Sequence, residues 1–123
     1  MLLCFVVDRC AVSPTGDRLY ITSYWEHTLL TLARDGTLLA TYTDPALDSP
    51  SGLYVTPAGQ VLVCGYWSNT VLQVYREGSR KLVTLATQER GGVRRPESVC
   101  YSNTTSSIIV GQWDDNILVF RVE

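Results

Sequence analysis

The chain has 123 residues, 46% of them hydrophobic and 18% charged, with a formal net charge of -2. That length holds about one ordinary domain, the apolar share excludes a disordered chain, and the mild negative charge argues against a strongly basic polyanion binder. The four cysteines form no Cys-x-x-Cys pair and have no histidines nearby, which excludes a zinc or thioredoxin-type site.

In chain order, the apolar stretch Met1-Leu2-Leu3-Cys4-Phe5-Val6-Val7 comes first. It lacks a basic start and is too short for a signal peptide or a membrane span, so it is expected to be a strand. β-branched and aromatic runs then predict strands at 10–13, 19–24, 28–34 and 37–43. A second set follows at 52–56, 60–66, 70–76 and 81–87, and a third at 97–101, 107–112 and 116–122, one strand short. Turn residues recur with the strands. Val12-Ser13-Pro14-Thr15-Gly16-Asp17 matches Val55-Thr56-Pro57-Ala58-Gly59-Gln60, and Arg34-Asp35-Gly36 matches Arg76-Glu77-Gly78. The third set, at Val99 to Ser107, has a hairpin of similar length without the proline or the glycine.

Trp25, Trp67 and Trp113 mark the repeat at spacings of 42 and 46 residues. Val63-Cys64-Gly65-Tyr66-Trp67-Ser68-Asn69-Thr70-Val71 lies without a gap over Ile109-Val110-Gly111-Gln112-Trp113-Asp114-Asp115-Asn116-Ile117, bringing Gly and Trp into coincidence. The first copy, Ile21 to Leu29, keeps Tyr24-Trp25 but has Ser23 in place of the glycine. A period in the forties with several strands per copy is the signature of propeller blades. The expected fold is therefore all-β, a β-propeller fragment of about three four-stranded antiparallel blades with the last incomplete. Residues 1–8 are a stray or closing strand, and 9–50, 51–96 and 97–123 are the blades.

The lead-ins to the second and third blades, Leu47-Asp48-Ser49-Pro50-Ser51-Gly52-Leu53-Tyr54-Val55 and Val93-Arg94-Arg95-Pro96-Glu97-Ser98-Val99, resemble NHL-type repeats over residues 9–123. Such propellers form the carboxyl-terminal recognition region of tripartite-motif ubiquitin ligases. The resemblance implies a non-catalytic binding or scaffold module that recognises protein or peptide, as in the substrate-recognition part of such a ligase. No RING or B-box cysteine pattern is present, so ligase chemistry is not expected within these residues. Some NHL propellers bind single-stranded RNA, which makes RNA the alternative partner. A gluconolactonase-like metal-dependent hydrolase shares the blade design. Its metal site needs inward carboxylates, and the inner-strand residues Val12, Leu53, Tyr54, Val55, Val99 and Cys100 supply none. No metal, cofactor or catalytic residue is expected.

Strand direction gathers the candidate ligand face. In an antiparallel blade, the turn between strands two and three and the connection leaving strand four emerge at one end. That places Tyr24, Trp25, Tyr66, Trp67 and Trp113 beside Arg90, Arg94 and Arg95. These arginines belong to the basic segment 76–95, where Arg76, Arg80, Lys81, Arg90, Arg94 and Arg95 outnumber Glu77 and Glu89. A tryptophan repeated at one blade position reads first as an inter-blade packing wedge, with direct ligand contact as the alternative. His27 has no supporting nucleophile and reads as a loop residue. The cysteines Cys4, Cys10, Cys64 and Cys100 read as buried, reduced thiols in a cytoplasmic setting without membrane contact. Three blades leave an open arc with two readings: a homodimer closing a six-bladed ring, residues 2–7 of each chain adding the fourth strand to the partner's last blade, or a fragment of a longer protein.

Overall fold

Short runs of β-branched and aromatic residues, punctuated by turn-forming ones, become eleven strands in the computed structural model, which describes residues 9–121. The first sheet holds β1 (Arg9–Val12), β2 (Arg18–Thr22), β3 (Thr28–Ala33) and β4 (Leu38–Thr43). A 3-10 turn, Pro45–Leu47, follows, capped by the Asp44 carboxylate, which accepts the Ala46 N–H at 2.8 Å. The second sheet holds β5 (Pro50–Val55), β6 (Val61–Gly65), β7 (Thr70–Val74) and β8 (Lys81–Ala86), and the third β9 (Pro96–Ser102), β10 (Ser107–Gln112) and β11 (Ile117–Arg121). Within each sheet, chain neighbours pair antiparallel in simple succession. The stretch 2–7, expected as a closing strand, lies outside the described residues. Gly16 and Gly59 carry the positive φ that ends each Pro-x-Gly turn, and Ser106 takes up a left-handed conformation, φ 51°, in the third hairpin.

The sheets stand side by side as blades, with β5 touching β1 on one side and β9 on the other. Strand β6 explains why they stack. Its alternate residues point to opposite faces, and both faces are apolar. Val61 and Val63, with Leu72 and Val74 of β7, pack against Tyr20, Leu29 and Leu47 of the first unit. Leu62 and Cys64, with Val71 and Ala86, pack against Val99, Ile108 and Val110 of the third. The Tyr20 hydroxyl donates to the Arg76 carbonyl at 2.6 Å, fixing the β7–β8 turn on the first blade. Close approach is possible because a side chain is missing at two points: a Cβ on Gly78 would fall 1.8 Å from Thr31 Oγ1, and one on Gly52 would fall 2.8 Å from Ser98 Cα.

The third blade corrects the gapless register. Pro50 pairs with Gly65, whereas Pro96 pairs with Gln112, so Gln112 and not Gly111 occupies the place of Gly65. The β10–β11 loop closes on a bond from the Gln112 N–H to the Asn116 carbonyl and is one residue shorter than its β6–β7 counterpart. Trp113 therefore stands where Tyr66 does. A one-residue slip exchanges the two faces of a strand. Ile108 and Val110 accordingly meet the second blade, while Ile109 faces away and is only half-buried.

The reading of the cysteines as buried holds for Cys64 alone among the described ones. Burial pushes its thiol up to about 12. Cys10 and Cys100 are exposed, because they lie on the outward faces of the first and third blades, which no described blade covers.

The corrected register predicts a stability order. Val110→Ala should cost about 2 kcal/mol and Ile109→Ala under about 1 kcal/mol in urea unfolding. The reverse order would restore the gapless alignment.

Candidate functional site

Two residues in left-handed backbone build the loop end of the arc. Ser49 (φ 54°) and Arg95 (φ 45°) each precede the proline that opens an inner strand, Pro50 or Pro96. The Ser49 carbonyl accepts the Tyr66 N–H at 3.0 Å, and the Arg95 carbonyl accepts the Trp113 N–H at 3.2 Å. Asn69 Oδ1 also accepts the Arg95 N–H at 2.9 Å. Left-handed backbone costs a residue with a Cβ roughly 1–2 kcal/mol, and these bonds hold Arg95 there. The two lead-ins are thus structurally equivalent, and Leu47 and Val93, which begin them, are both fully buried.

This geometry sends the Arg95 guanidinium between two indoles. Its central carbon lies 4.8 Å from the Trp67 ring centroid and 4.9 Å from that of Trp113, within cation–π range of both. The contact bridges the second and third blades. Across the first joint the bridge is aromatic. Tyr24 and Tyr66 lie 5.9 Å apart, and Trp67 Nε1 donates to the Tyr24 hydroxyl at 2.9 Å. Each tyrosine also meets its own neighbour edge-on, Tyr24 with Trp25 and Tyr66 with Trp67, both at 5.0 Å. The result is a continuous ladder, Trp25, Tyr24, Tyr66, Trp67, Arg95, Trp113, across all three blades.

The sequence reading placed eight residues on this face, and the structure joins six of them. Arg90 is tied down elsewhere, its guanidinium donating to the Thr84 carbonyl at 3.2 Å. Arg94 contributes its backbone, which donates to Gln112 Oε1 at 2.5 Å, and leaves its side chain exposed. The tryptophans are not buried wedges. Trp67 and Trp113 clamp the joints from the surface, whereas Trp25 meets Tyr24 of its own blade and remains 77% exposed. His27 is a loop residue, its Nδ1 3.6 Å from an Asp48 carboxylate oxygen in an exposed pair that contributes little.

A cavity of about 470 Å³ opens beside the ladder, lined by Arg9, Tyr24, Trp25, Pro50, Ser51, Tyr66 and Glu97. Arg9, Pro50, Ser51 and Glu97 escaped the sequence reading. The signal was the direction of the inner strands: β1, β5 and β9 all start at the loop end, so their first residues meet there. The Ser51 hydroxyl donates to the Pro96 carbonyl at 2.6 Å, fixing one wall. Among the described residues, no group of three His, Cys, Asp or Glu side chains converges to hold a metal ion, and no helix is long and apolar enough to cross a membrane.

Among solved structures the chain is similar to hydrazine synthase of Kuenenia stuttgartiensis, with a TM-score of 0.71 and 19% identity over 84% of this chain and 28% of that one. It is also similar to virginiamycin B lyase from Staphylococcus aureus, with a TM-score of 0.60 and 16% identity over 92% of this chain and 40% of that one. The chain spans less than half the length of either. These likenesses show the fold, part of a β-propeller. No protein-family model and no curated protein matches the chain.

Arg95 generates a paired prediction. Arg95→Ala loses the bridge and keeps the backbone strain, whereas Arg95→Gly loses the bridge and relieves the strain. The alanine variant should be the less stable by about 1 kcal/mol in urea unfolding. Equal stability would mean that Arg95 is not held in left-handed backbone.

Proposed function

We propose that the chain is a non-catalytic recognition module that binds a protein or peptide segment at the loop end of its arc. The observation that carries this reading is the exposed Trp25 ring beside a cavity walled by two tyrosines, an arginine and a glutamate. A concavity of that size suits one or two side chains, and aromatic and arginine residues are the usual anchors of protein interfaces. Arg9 and Glu97 favour a segment with an apolar or aromatic residue flanked by charges of both signs. In a tripartite-motif-like ligase such a face would hold the substrate, the role suggested by the lead-ins at Leu47 and Val93.

Single-stranded RNA fits less well. Stacking on bases needs free ring faces and phosphates need free cations. Trp67 and Trp113 each have a ring face against the Arg95 guanidinium, Arg90 is bonded to its own blade, and Glu97 lines the cavity.

All three tryptophans of the chain lie on this face, so a ligand bound there changes intrinsic fluorescence. Peptides selected from a displayed library should shift the emission, and Trp25→Ala should weaken them about tenfold or more with the urea midpoint unchanged, since the ring is exposed. Undiminished affinity of that variant would overturn the peptide reading. Tight oligouridine binding with a steep salt dependence would replace it with the RNA one.

A further inference from the structure

Where the second and third blades meet, the end of the joint away from the ladder holds a cavity of about 420 Å³. Strand pairing shows what converges on it. Gln73 pairs with Leu62 and Tyr101 with Ile108, and directly opposite partners share a face, so both side chains turn toward the joint that Leu62 and Ile108 fill. Gln60, two residues before Leu62, keeps to the same side. The β9–β10 turn adds Asn103 and Ser106 to the lining, and the β5–β6 turn adds Pro57 and Ala58. The polar groups here are uncommitted. Among the described residues, the side chains of Gln60, Gln73, Tyr101, Asn103 and Ser106 make no hydrogen bond, and Gln60 Oε1 is buried without a donor. An acceptor left so costs about 1–3 kcal/mol, and turning its amide toward a ligand breaks no bond. The first joint differs at the equivalent place. There Asp17 stands where Gln60 does, its carboxylate accepts the Ser13 and Thr15 hydroxyls, and Arg18, Arg76 and Glu77 line the crevice. Ala58, where Thr15 stands, cannot make the matching bond to Gln60.

We infer that the cavity between the second and third blades is a binding site for a neutral saccharide. No charged residue lines it, so it offers nothing to hold a phosphate, a nucleotide or a carboxylate, whose recognition rests on charge-assisted bonds. Most small-molecule sites are apolar with a few polar groups, and this one is the reverse. Its amides and hydroxyls each donate and accept, as the hydroxyls around a sugar ring do. The Tyr101 ring, Pro57 and Ala58 supply apolar surface for the C–H face of a pyranose. The lining comes entirely from two adjoining blades, so the site is independent of what flanks them.

Neutral trisaccharides test this on the full chain: chitotriose, cellotriose, maltotriose and mannotriose, each titrated while the side-chain amide protons are followed by NMR. At least one should bind with a dissociation constant of about 1 mM or tighter and shift the amide protons of Gln60 and Gln73. Gln73→Ala should weaken it about tenfold. Asn103→Ala, at an exposed turn residue, should weaken it as well with the urea midpoint unchanged. Trp25→Ala should leave it unaltered, because that ring lies at the other end of the blades. Absence of shifts at Gln60 and Gln73 with every trisaccharide at about 10 mM, affinity indifferent to Asn103→Ala, or loss of binding in Trp25→Ala would each overturn the proposal. Uridine monophosphate shifting the same amides while the trisaccharides do not would replace the saccharide with a nucleotide.

Discussion

Val61 and Val63 on one side of β6, and Leu62 and Cys64 on the other, are all buried, so the middle sheet has no solvent face at its second strand. A sheet of that kind is stable only between two others. The requirement reaches outward. It sets which residues of β2 and β10 turn inward, brings Leu47 and Val93 down as plugs between sheets, and brings the inner strands close enough to need Gly52. The loop-end surface follows from the same stacking, because fixing the blades fixes the spacing of their turns.

That surface is assembled from ordinary parts used unevenly. At the first joint the tyrosines meet ring to ring, while at the second a guanidinium fills the space between two indoles. The difference traces to two positions: Ser49, whose short side chain reaches no ring, stands where Arg95 does, and Tyr66 stands where Trp113 does. Holding the rings on hydrogen-bonded turns reduces the ordering cost that a flexible loop would add to binding. Arg95 thus positions the ladder, and Trp25, at its open end, rests on Tyr24 alone among the rings and stays largely exposed.

The strands were legible in the sequence because both signals agreed: alternating β-branched runs and glycine-bearing turns at matching places. Gly16, Gly59, Gly36 and Gly78 all take the positive φ that such turns need. The third blade was misread by one residue because Gly111 and Trp113 imitate Gly65 and Trp67 while the loop between β10 and β11 is shorter. The pairing of Pro96 with Gln112 and the bond from the Trp113 N–H to the Arg95 carbonyl reveal the shift. Cys10 and Cys100 looked like core residues because a local pattern shows that a strand has two faces, but not whether a neighbour covers each one. The aromatic positions were legible from the repeat. The Arg95 bridge was not, since it depends on a left-handed residue whose bonding partners, Asn69 and Trp113, lie in other loops.

The central claim is that Arg95 lies between the indoles of Trp67 and Trp113 and so joins two blades at the loop end of the arc. Proton NMR of the folded chain tests it most directly, because two flanking rings shift the Arg95 side-chain protons through their ring currents. The structure predicts marked upfield shifts of the Arg95 δ protons and cross-peaks from them to both indoles. Random-coil shifts for those protons in the folded chain, without such cross-peaks, would contradict it.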